Sequence, residues 1–402
     1  MPLITTTDEL ARFCRDAAEA PYVTVDTEFL RERTYYAQLC LVQIARPGNS
    51  DGDGVLVDTL AEGLSLDPLY DLFRNRGVTK VFHAARQDLE IFETTAGVLP
   101  EPFFDTQVAA MVCGYGDQVG YETLVRQIAR AGIDKSSRFT DWSRRPLSEA
   151  QLAYALADVT HLRRIYEVLS RRLEASGRAG WVAEELAVLT DPATYRAEPG
   201  EAWTRIKTRS TAPRFLAALR ELARMRETLA QRRDVPRNRI VKDDVLLELA
   251  ANRPRSLEDL GKSRLLLREA RRGEIAEAIL AAIATAEALP AAALPQPAAP
   301  PARRQGNEAL GELLRVLLKA RAEAEGVAQR LIASSAEQER IAGEEAADVP
   351  ALTGWRFDLF GRDALRLKRG EIALSAGENG VTVIEIAKNG AAASPAPRAA
   401  QA

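Results

Sequence analysis

The sequence predicts an α/β domain, with a mixed sheet flanked by helices, followed by two all-α helical modules. In the first half, short β-branched runs alternate with helical patterns, and from about residue 205 the pattern is helical. Charge changes at the same place. Residues 1–204 carry 21 Lys and Arg against 31 Asp and Glu, whereas residues 205–280 carry 19 against 11. An acidic first domain and a basic second module follow from this asymmetry.

Composition limits the classes of protein and of metal site. The chain has 402 residues, 46% of them hydrophobic, which supports more than one core. It has no apolar run of the roughly 18–20 residues that span a bilayer, and its first residues lack a signal-peptide pattern. Cys14, Cys40 and Cys113 have neither zinc nor redox spacing, and the histidines are only His83 and His161. We expect a cytoplasmic protein without membrane contact, in which carboxylates hold any metal.

The elements of the first domain, predicted over residues 1–204, follow from period and composition. Short connections between the first three strands favour antiparallel pairing. Strands are predicted at residues 22–29, 38–45, 54–58 and 78–83, a helix at 66–75, and mostly helix over 121–190.

The second half reads as helices separated by a linker. Residues 209–286 predict helices at 212–232 and 243–251 and a last helix or helix pair at 264–286. Ser256 with Asp259 forms a capping-box pattern before this last stretch. Residues 289–306 are rich in Ala and Pro and predict a linker. Residues 307–372 predict a second helical module, and residues 373–402 predict a hairpin around Gly377–Gly380 followed by a disordered tail.

Three groups of polar residues suggest chemistry. Asp26 and Glu28 lie two apart on the first long strand, so both carboxylates share one face and repel each other unless a cation lies between them. Tyr154 and Asp158 lie four apart on a helix and share one side. Asp88 is in a helix that follows a strand. Taken singly, each group is equally typical of a solvated surface.

Taken together, these groups resemble a known family. The segments VDTEFLRERTYYAQLCLVQI, VFHAARQDLEIF and DKSSRFTDWSRRPLSEAQLAYALADV resemble, in order, the three exonuclease motifs of ribonuclease D. The resemblance implies an RNase H-like, DEDD-type 3′→5′ exonuclease. Its catalytic residues correspond here to Asp26, Glu28, Asp88, Tyr154 and Asp158. Ala153 stands where the histidine variant of the third motif has His, so Tyr154 marks the tyrosine subtype.

The resemblance also implies two divalent metal ions, Mg²⁺ or Mn²⁺. Such a pair activates a water and stabilises charge on the attacking and leaving oxygens. We expect Asp26 to bridge both ions, Glu28 and Asp158 to complete one site, and Asp88 to act mainly through metal-bound water. Because the pKa of tyrosine lies near 10, Tyr154 is too weak an acid to serve as a base and is expected to orient the attacking water.

Other residues are candidates for substrate contact, each with a structural alternative. Phe29 is expected either to stack on the terminal base or to pack in the core, and His83 to lie near substrate or to be structural. Three residues before the third motif are expected to touch RNA or to form a plain surface loop: Lys135, Arg138 and Trp142. A basic cluster is expected to neutralise phosphates or to be a solvated surface: Arg232, Arg233, Arg237, Arg239 and Lys242. His161 is expected to pack or to lie at the surface.

A second resemblance covers the helical part. Residues 209–286, with RNRIVKDDVLLELAANRPRSLEDL, resemble an HRDC domain, and LTGWRFDLFGRDALRLKRG at 352–370 resembles the end of a divergent second one. Together the resemblances imply a monomeric exoribonuclease that releases 5′-mononucleotides and trims structured RNA such as tRNA precursors. A DNA 3′→5′ exonuclease remains an alternative, because the residues do not distinguish RNA from DNA. A non-catalytic RNA-binding protein is disfavoured because all five motif positions carry the expected residue types.

Overall fold

A computed structural model describes residues 3–48, 50–134, 136–296, 308–377 and 380–386. The chain forms two compact units. The first unit comprises residues 1–109 and 120–300, and the second comprises residues 110–119 and 301–402.

The first unit contains a six-stranded mixed sheet. Its strands are β1 (Leu3–Ile4), β2 (Tyr22–Leu30), β3 (Gln38–Ala45), β4 (Gly54–Val57), β5 (Thr79–Phe82) and β6 (Phe103–Asp105). The spatial order is β1-β4-β3-β2-β5-β6. The pairs β2–β3 and β3–β4 are antiparallel, as their short connections predict, and the remaining pairs are parallel. The long strand β2 therefore lies inside the sheet.

Helices cover both faces of this sheet. They are α1 (Thr7–Ala17), α2 (Asp67–Arg74), α3 (Arg86–Ala96), α4 (Thr106–Val112), α5 (Tyr121–Leu124), α6 (Glu149–Ser176) and α7 (Ala179–Ala187). The long helix α6 begins with a reciprocal capping box between Ser148 and Gln151 and ends at Gly177 in the left-handed conformation, with φ 68°. One face of β2 packs toward α1 and α2 through Val23 and Val25.

Residues 121–190 are mostly helical, as predicted, except for a stretch between residues 130 and 148. Asp134 accepts a hydrogen bond from the backbone N–H of Ser136, and Asp141 accepts one from that of Ser143. These Asx-type turns satisfy backbone donors locally and compete with helical hydrogen bonding. The segment before α6 is therefore a series of turns.

The first helical module surrounds the long helix α8. Its helices are α8 (Pro213–Arg233), α9 (Arg237–Ile240), α10 (Asp243–Asn252), α11 (Leu257–Gly261) and α12 (Gly273–Ala288). The predicted capping box at α11 is half formed. Ser256 Oγ accepts from the N–H of Asp259, but the Asp259 carboxylate accepts from the N–H of Arg255.

The last predicted helix of this module begins later than expected. It starts at Gly273 rather than at Arg264. The carboxylate of Glu248 accepts hydrogen bonds from the backbone N–H groups of Arg264 and Leu265, which holds this stretch as a loop.

The second unit combines short helices with a hairpin. Its elements after residue 307 are α13 (Glu308–Glu325), α14 (Gln329–Ile332), α15 (Ser335–Gly343), α16 (Gly354–Arg356), α17 (Arg362–Lys368), β7 (Ile372–Gly377) and β8 (Gly380–Glu385). β7 and β8 pair antiparallel, at the position predicted for a hairpin. Of the predicted linker, residues 297–306 lie outside the described residues, as does the predicted disordered tail from residue 387. Among the helices described, none has the length and apolar character needed to cross a membrane.

Candidate active site

The central strand β2 presents two carboxylates toward α6. Because side chains alternate along a strand, Val23 and Val25 fill the core on one face while Asp26 and Glu28 lie on the other. The hydroxyl of Thr24, on that second face, donates to the backbone oxygen of Val159 at 2.8 Å. This bond fixes β2 against α6, next to the acidic pair.

Helix α6 supplies a third carboxylate. Carboxylate oxygens of Asp26, Glu28 and Asp158 all lie within 4.8 Å of one another. Three anionic groups this close repel each other strongly. A hard divalent cation bound between them relieves the repulsion, with the carboxylate oxygens as its ligands. Asp26, Glu28 and Asp158 therefore fit a Mg²⁺ or Mn²⁺ site by donor type and spacing.

Asp88 lies beside this cluster without being one of its three members. It occupies the first turn of α3, is buried, and accepts a hydrogen bond from the hydroxyl of Thr27. Its charge raises the pKa of both Asp26 and Glu28, which places it within electrostatic range of the cluster. The structure thus brings all four predicted acids together.

The pKa values of all four carboxyl groups are raised in the folded chain. Burial, followed by the neighbouring carboxylates, raises the pKa of Asp26 well above its ordinary value and that of Glu28 to about 9. Burial also raises the pKa of Asp88 and Asp158 to about 7 each. Without a cation, the cluster therefore retains protons near neutral pH, and a bound cation replaces those protons.

Tyr154 completes the set of five predicted catalytic residues. Burial and the charge of Asp158 raise the pKa of Tyr154 above its ordinary value, so its hydroxyl stays protonated at neutral pH. Its hydrogen bond lowers the pKa of Asp158. The Tyr154 ring lies 6.2 Å, centroid to centroid, from the ring of Trp142. Tyr154 is therefore a positioned hydrogen-bond donor next to the carboxylates.

The structure contradicts the expectation that Trp142 touches RNA or lies in a surface loop. It is only 2% exposed and belongs to the core between the sheet and α6. A nucleobase has no access to such a ring, so the role that the geometry supports is packing beneath Tyr154. Lys135, predicted with it, lies outside the described residues.

A cavity of about 250 Å³ opens on the cluster. Its lining includes Asp26, His83, Tyr121, Arg138 and Asp158. The Nδ1 atom of His83 lies 3.0 Å from the hydroxyl oxygen of Thr106. His83 therefore borders the site, which favours the substrate-adjacent alternative.

Arg138 supplies positive charge to this cavity. Its guanidinium lowers the pKa of Glu28, Tyr154 and Asp158. A cation at this position favours an anionic substrate and opposes the repulsion of the carboxylates.

Tyr121 was missed by sequence reasoning. It lies on α5, outside the three motifs, and its hydroxyl donates to the backbone oxygen of Asp158 at 2.6 Å. No spacing pattern marks it, because the contact joins two helices that are separate in sequence.

The remaining candidates near the site have different surroundings. Phe29 follows a register shift in β2 and stays partly exposed next to the acidic pair. His161 lies on α6 and is not among the residues that line the cavity.

Three of the five basic residues expected to neutralise phosphates form ion pairs within the first unit. Arg232 and Arg233 both form ion pairs with Glu274. Arg237 pairs with Glu227, at 2.7 Å, and also donates to the hydroxyl of Tyr35. Two carboxylates thus pair with three arginines and offset part of their positive charge within the chain. Arg239 and Lys242 are exposed.

Comparison with known proteins assigns the family. A family model described as 3′-5′ exonuclease matches residues 1–174, and one described as HRDC domain matches residues 215–283. The chain is 61% identical to ribonuclease D of Jannaschia sp. (strain CCS1), over 95% of this chain and 99% of that protein. The chain belongs to the ribonuclease D family. It is 52% identical to ribonuclease D of Granulibacter bethesdensis, over 92% and 93% of the two chains.

A solved structure of the ribonuclease D family agrees with the fold. The crystal structure of Escherichia coli RNase D matches with a TM-score of 0.78 at 31% identity, covering 92% of this chain and 98% of that one. The predicted exonuclease domain with an HRDC helical domain is thereby confirmed. As a member of the ribonuclease D family, the chain is a hydrolase of the 3′-5′ exonuclease type.

The raised pKa values predict how stability depends on pH and metal. A carboxyl group whose pKa is raised in the folded state contributes stability below its unfolded pKa of about 4, and loses that contribution as pH rises through the folded value. For Asp88 and Asp158 the contribution is lost as the pH rises through about 7, and for Glu28 as it rises through about 9. We therefore expect Mg²⁺ to raise the unfolding temperature by at least about 2 °C at about pH 8.5, and much less at about pH 5.5.

The comparison is made by thermal unfolding in EDTA and in Mg²⁺ at both pH values. Taking the difference between the two solutions removes the contribution of titrating groups elsewhere in the chain. An equal Mg²⁺ effect at both pH values would contradict a site built from these carboxyl groups.

Proposed function

We propose that this chain hydrolyses RNA from the 3′ end by a two-metal-ion mechanism and releases 5′-mononucleotides. The observation that carries the proposal is the carboxylate cluster of Asp26, Glu28 and Asp158, whose oxygens lie within 4.8 Å of one another. Two divalent ions, Mg²⁺ or Mn²⁺, supply charge stabilisation and an activated water in such sites. Asp88 is the fourth proposed metal-binding residue.

The four acids have distinct roles in this proposal. The charges of Asp158, Asp88 and Glu28 all raise the pKa of Asp26, so Asp26 would be the acid best placed to hold both ions. Glu28 and Asp158 would help to hold one of them. Asp88, which accepts a hydrogen bond from Thr27 beside the cluster, would act mainly through water bound to a metal ion.

Tyr154 positions the attacking water. Its raised pKa keeps the proton on the hydroxyl, so it donates a hydrogen bond and does not remove a proton. Arg138 lines the same cavity and is proposed to contact a phosphate of the terminal nucleotides.

The proposed substrates are structured RNAs with an accessible 3′ end, such as tRNA precursors. Support comes from the Escherichia coli enzyme, which is described as an exoribonuclease involved in structured RNA processing. We further propose an exonuclease domain at 1–204, an HRDC domain at 209–286, and a divergent second one at 307–372. We also propose that the protein is monomeric and cytoplasmic.

The test uses matched 5′-labelled RNA and DNA strands with single-stranded 3′ ends, in Mg²⁺, Mn²⁺ or EDTA. We expect stepwise shortening of RNA from its 3′ end, and no shortening in EDTA. Shortening of DNA at the same or a higher rate would favour the DNA exonuclease alternative. Binding of RNA without shortening in either metal would show a non-catalytic RNA-binding protein.

A further inference from the structure

A second, larger cleft lies in the first unit, between the nuclease sheet and the first helical module. Its volume is about 1020 Å³. Its lining comes from the residues after β2, one side of α3, the stretch from Thr194 to Pro199, Arg205, the last turn of α8 and the residues at the beginning of α9. Neither the catalytic cluster nor its cavity includes these residues. The cleft is thus a separate feature that needs its own explanation.

The cleft carries an excess of positive charge. Its lining contains five arginines and three glutamates. Arg31 pairs with Glu90, and Arg196 lies 3.9 Å from Glu93. Within the part of the chain that the structure describes, Arg86 and Arg205 pair with no carboxylate, and both are exposed. Two guanidinium groups therefore remain available to an anionic ligand.

An exposed aromatic ring lies beside these arginines. Tyr36 is 40% exposed at the cleft and packs edge-on against Tyr35, with centroids 4.8 Å apart. The backbone N–H groups of both tyrosines donate to Asp234 at 3.0 Å. Arg237 stacks on the ring of Tyr35, 4.9 Å from its centroid. Tyr36 is thus held in place as a stacking surface that faces solvent.

The cleft and the catalytic cluster share two structural elements. Arg31 follows Glu28 by three residues, a span of at most about 11 Å of extended chain. Arg86 and Asp88 both lie in the first turn of α3, two residues apart and so on different sides of the helix. A single strand advances by at least about 3.4 Å per nucleotide. A strand with its 3′ end at the carboxylates therefore reaches the cleft within a few nucleotides.

We propose that this cleft binds the single-stranded RNA upstream of the terminal nucleotide. Arg86 and Arg205 contact phosphates, and Tyr36 stacks on a base. Backbone contacts with aromatic stacking bind single strands of any sequence, which suits an enzyme that shortens its substrate repeatedly. The inference rests on the proposed function and adds to it a site outside the catalytic cavity.

The test measures binding and shortening of 5′-labelled RNA by the full chain. The substrates are a strand of about 12 nucleotides and a dinucleotide, whose single step of at least about 3.4 Å is too short to occupy both sites. In EDTA, Arg86→Gln with Arg205→Gln is expected to weaken binding of the longer strand about tenfold, and to reduce the slope of log affinity against log salt by about 1.4. Hydrolysis of the dinucleotide in Mg²⁺ is expected to be unchanged.

Two controls separate the cleft from general charge and from folding. Arg253→Gln with Arg268→Gln removes the same charge from exposed positions of the helical module outside the cleft. Tyr36→Ala is expected to weaken binding of the longer strand about tenfold, whereas Tyr36→Phe retains the ring and its affinity.

The outcomes distinguish the cleft from the proposed activity. Equal losses in the two double variants, or no loss in either, would overturn the cleft assignment while the wild-type chain still shortens RNA. An equal loss on the short and long strands would also overturn it, because the residues would then act at the catalytic cavity. Failure of the wild-type chain to shorten any RNA would instead refute the proposed function.

Discussion

Asp26→Asn is expected to reduce kcat/KM for RNA shortening by at least about 1000-fold, a loss of about 4 kcal/mol in transition-state stabilisation. Burial and three neighbouring carboxylates raise the pKa of Asp26. Asparagine keeps the shape of the side chain but removes the charge that is proposed to hold two cations. The rate is measured on a 5′-labelled RNA strand in saturating Mg²⁺.

Two controls accompany this substitution. Asp8→Asn removes a carboxylate from an exposed position of α1 and is expected to retain wild-type activity. In EDTA, Asp26→Asn is expected to raise the unfolding temperature, because it removes a carboxyl group whose ionisation is opposed by burial and by its neighbours in the folded state. Lower stability together with lower activity would mean that the variant lost its fold. A stable variant with activity within about tenfold of wild type would contradict the bridging role.

Tyr154→Phe is expected to lower kcat about 100-fold while leaving KM nearly unchanged. The substitution removes the hydroxyl that donates next to Asp158 and retains the ring that packs on Trp142. The expected loss is therefore in the chemical step and not in RNA binding. Steady-state kinetics on the same RNA strand separate the two parameters.

The matched control lies on the same helix. Tyr166→Phe alters a ring that packs against Tyr22 and Phe104, away from the carboxylates, and is expected to leave kcat unchanged. A rise in KM with normal kcat in Tyr154→Phe would show that Tyr154 binds substrate and does not orient the water.

Local periodicity places two pairs of the site residues. The two-residue period of β2 puts Asp26 and Glu28 on one face, and the four-residue spacing on α6 does the same for Tyr154 and Asp158. The assignment of these residues and of Asp88 to one site came from the resemblance to the three exonuclease motifs.

Residues whose roles depend on distant partners could not be predicted in this way. Arg237 reads as a free surface cation in sequence, but Glu227, ten residues away on α8, neutralises it. Trp142 lies in a turn-rich stretch that resembles a surface loop, and only the packing against α6 shows that it is buried. Tyr121 contacts the site through a hydrogen bond to the backbone oxygen of Asp158. Any residue offers a backbone oxygen, so the sequence does not indicate this contact.

The same limit applies to the basic character of the helical module. Sequence counting gives residues 205–280 an excess of eight positive charges, 19 against 11. The structure pairs Arg232 and Arg233 with Glu274 and leaves Arg205 unpaired among the residues it describes. Charge balance thus indicated a nucleic-acid partner, whereas the residues available for contact depend on tertiary structure.

The most direct test of the central claim is a titration of the metal-free chain with Mn²⁺. Electron paramagnetic resonance measures the concentration of free Mn²⁺ at each step. If Asp26, Glu28, Asp88 and Asp158 hold a pair of cations, the wild-type chain binds two equivalents of Mn²⁺. Asp26→Asn then loses saturable binding at both sites, and Asp8→Asn does not. Equal Mn²⁺ binding by wild type and Asp26→Asn would contradict the claim that this carboxylate cluster is the metal centre.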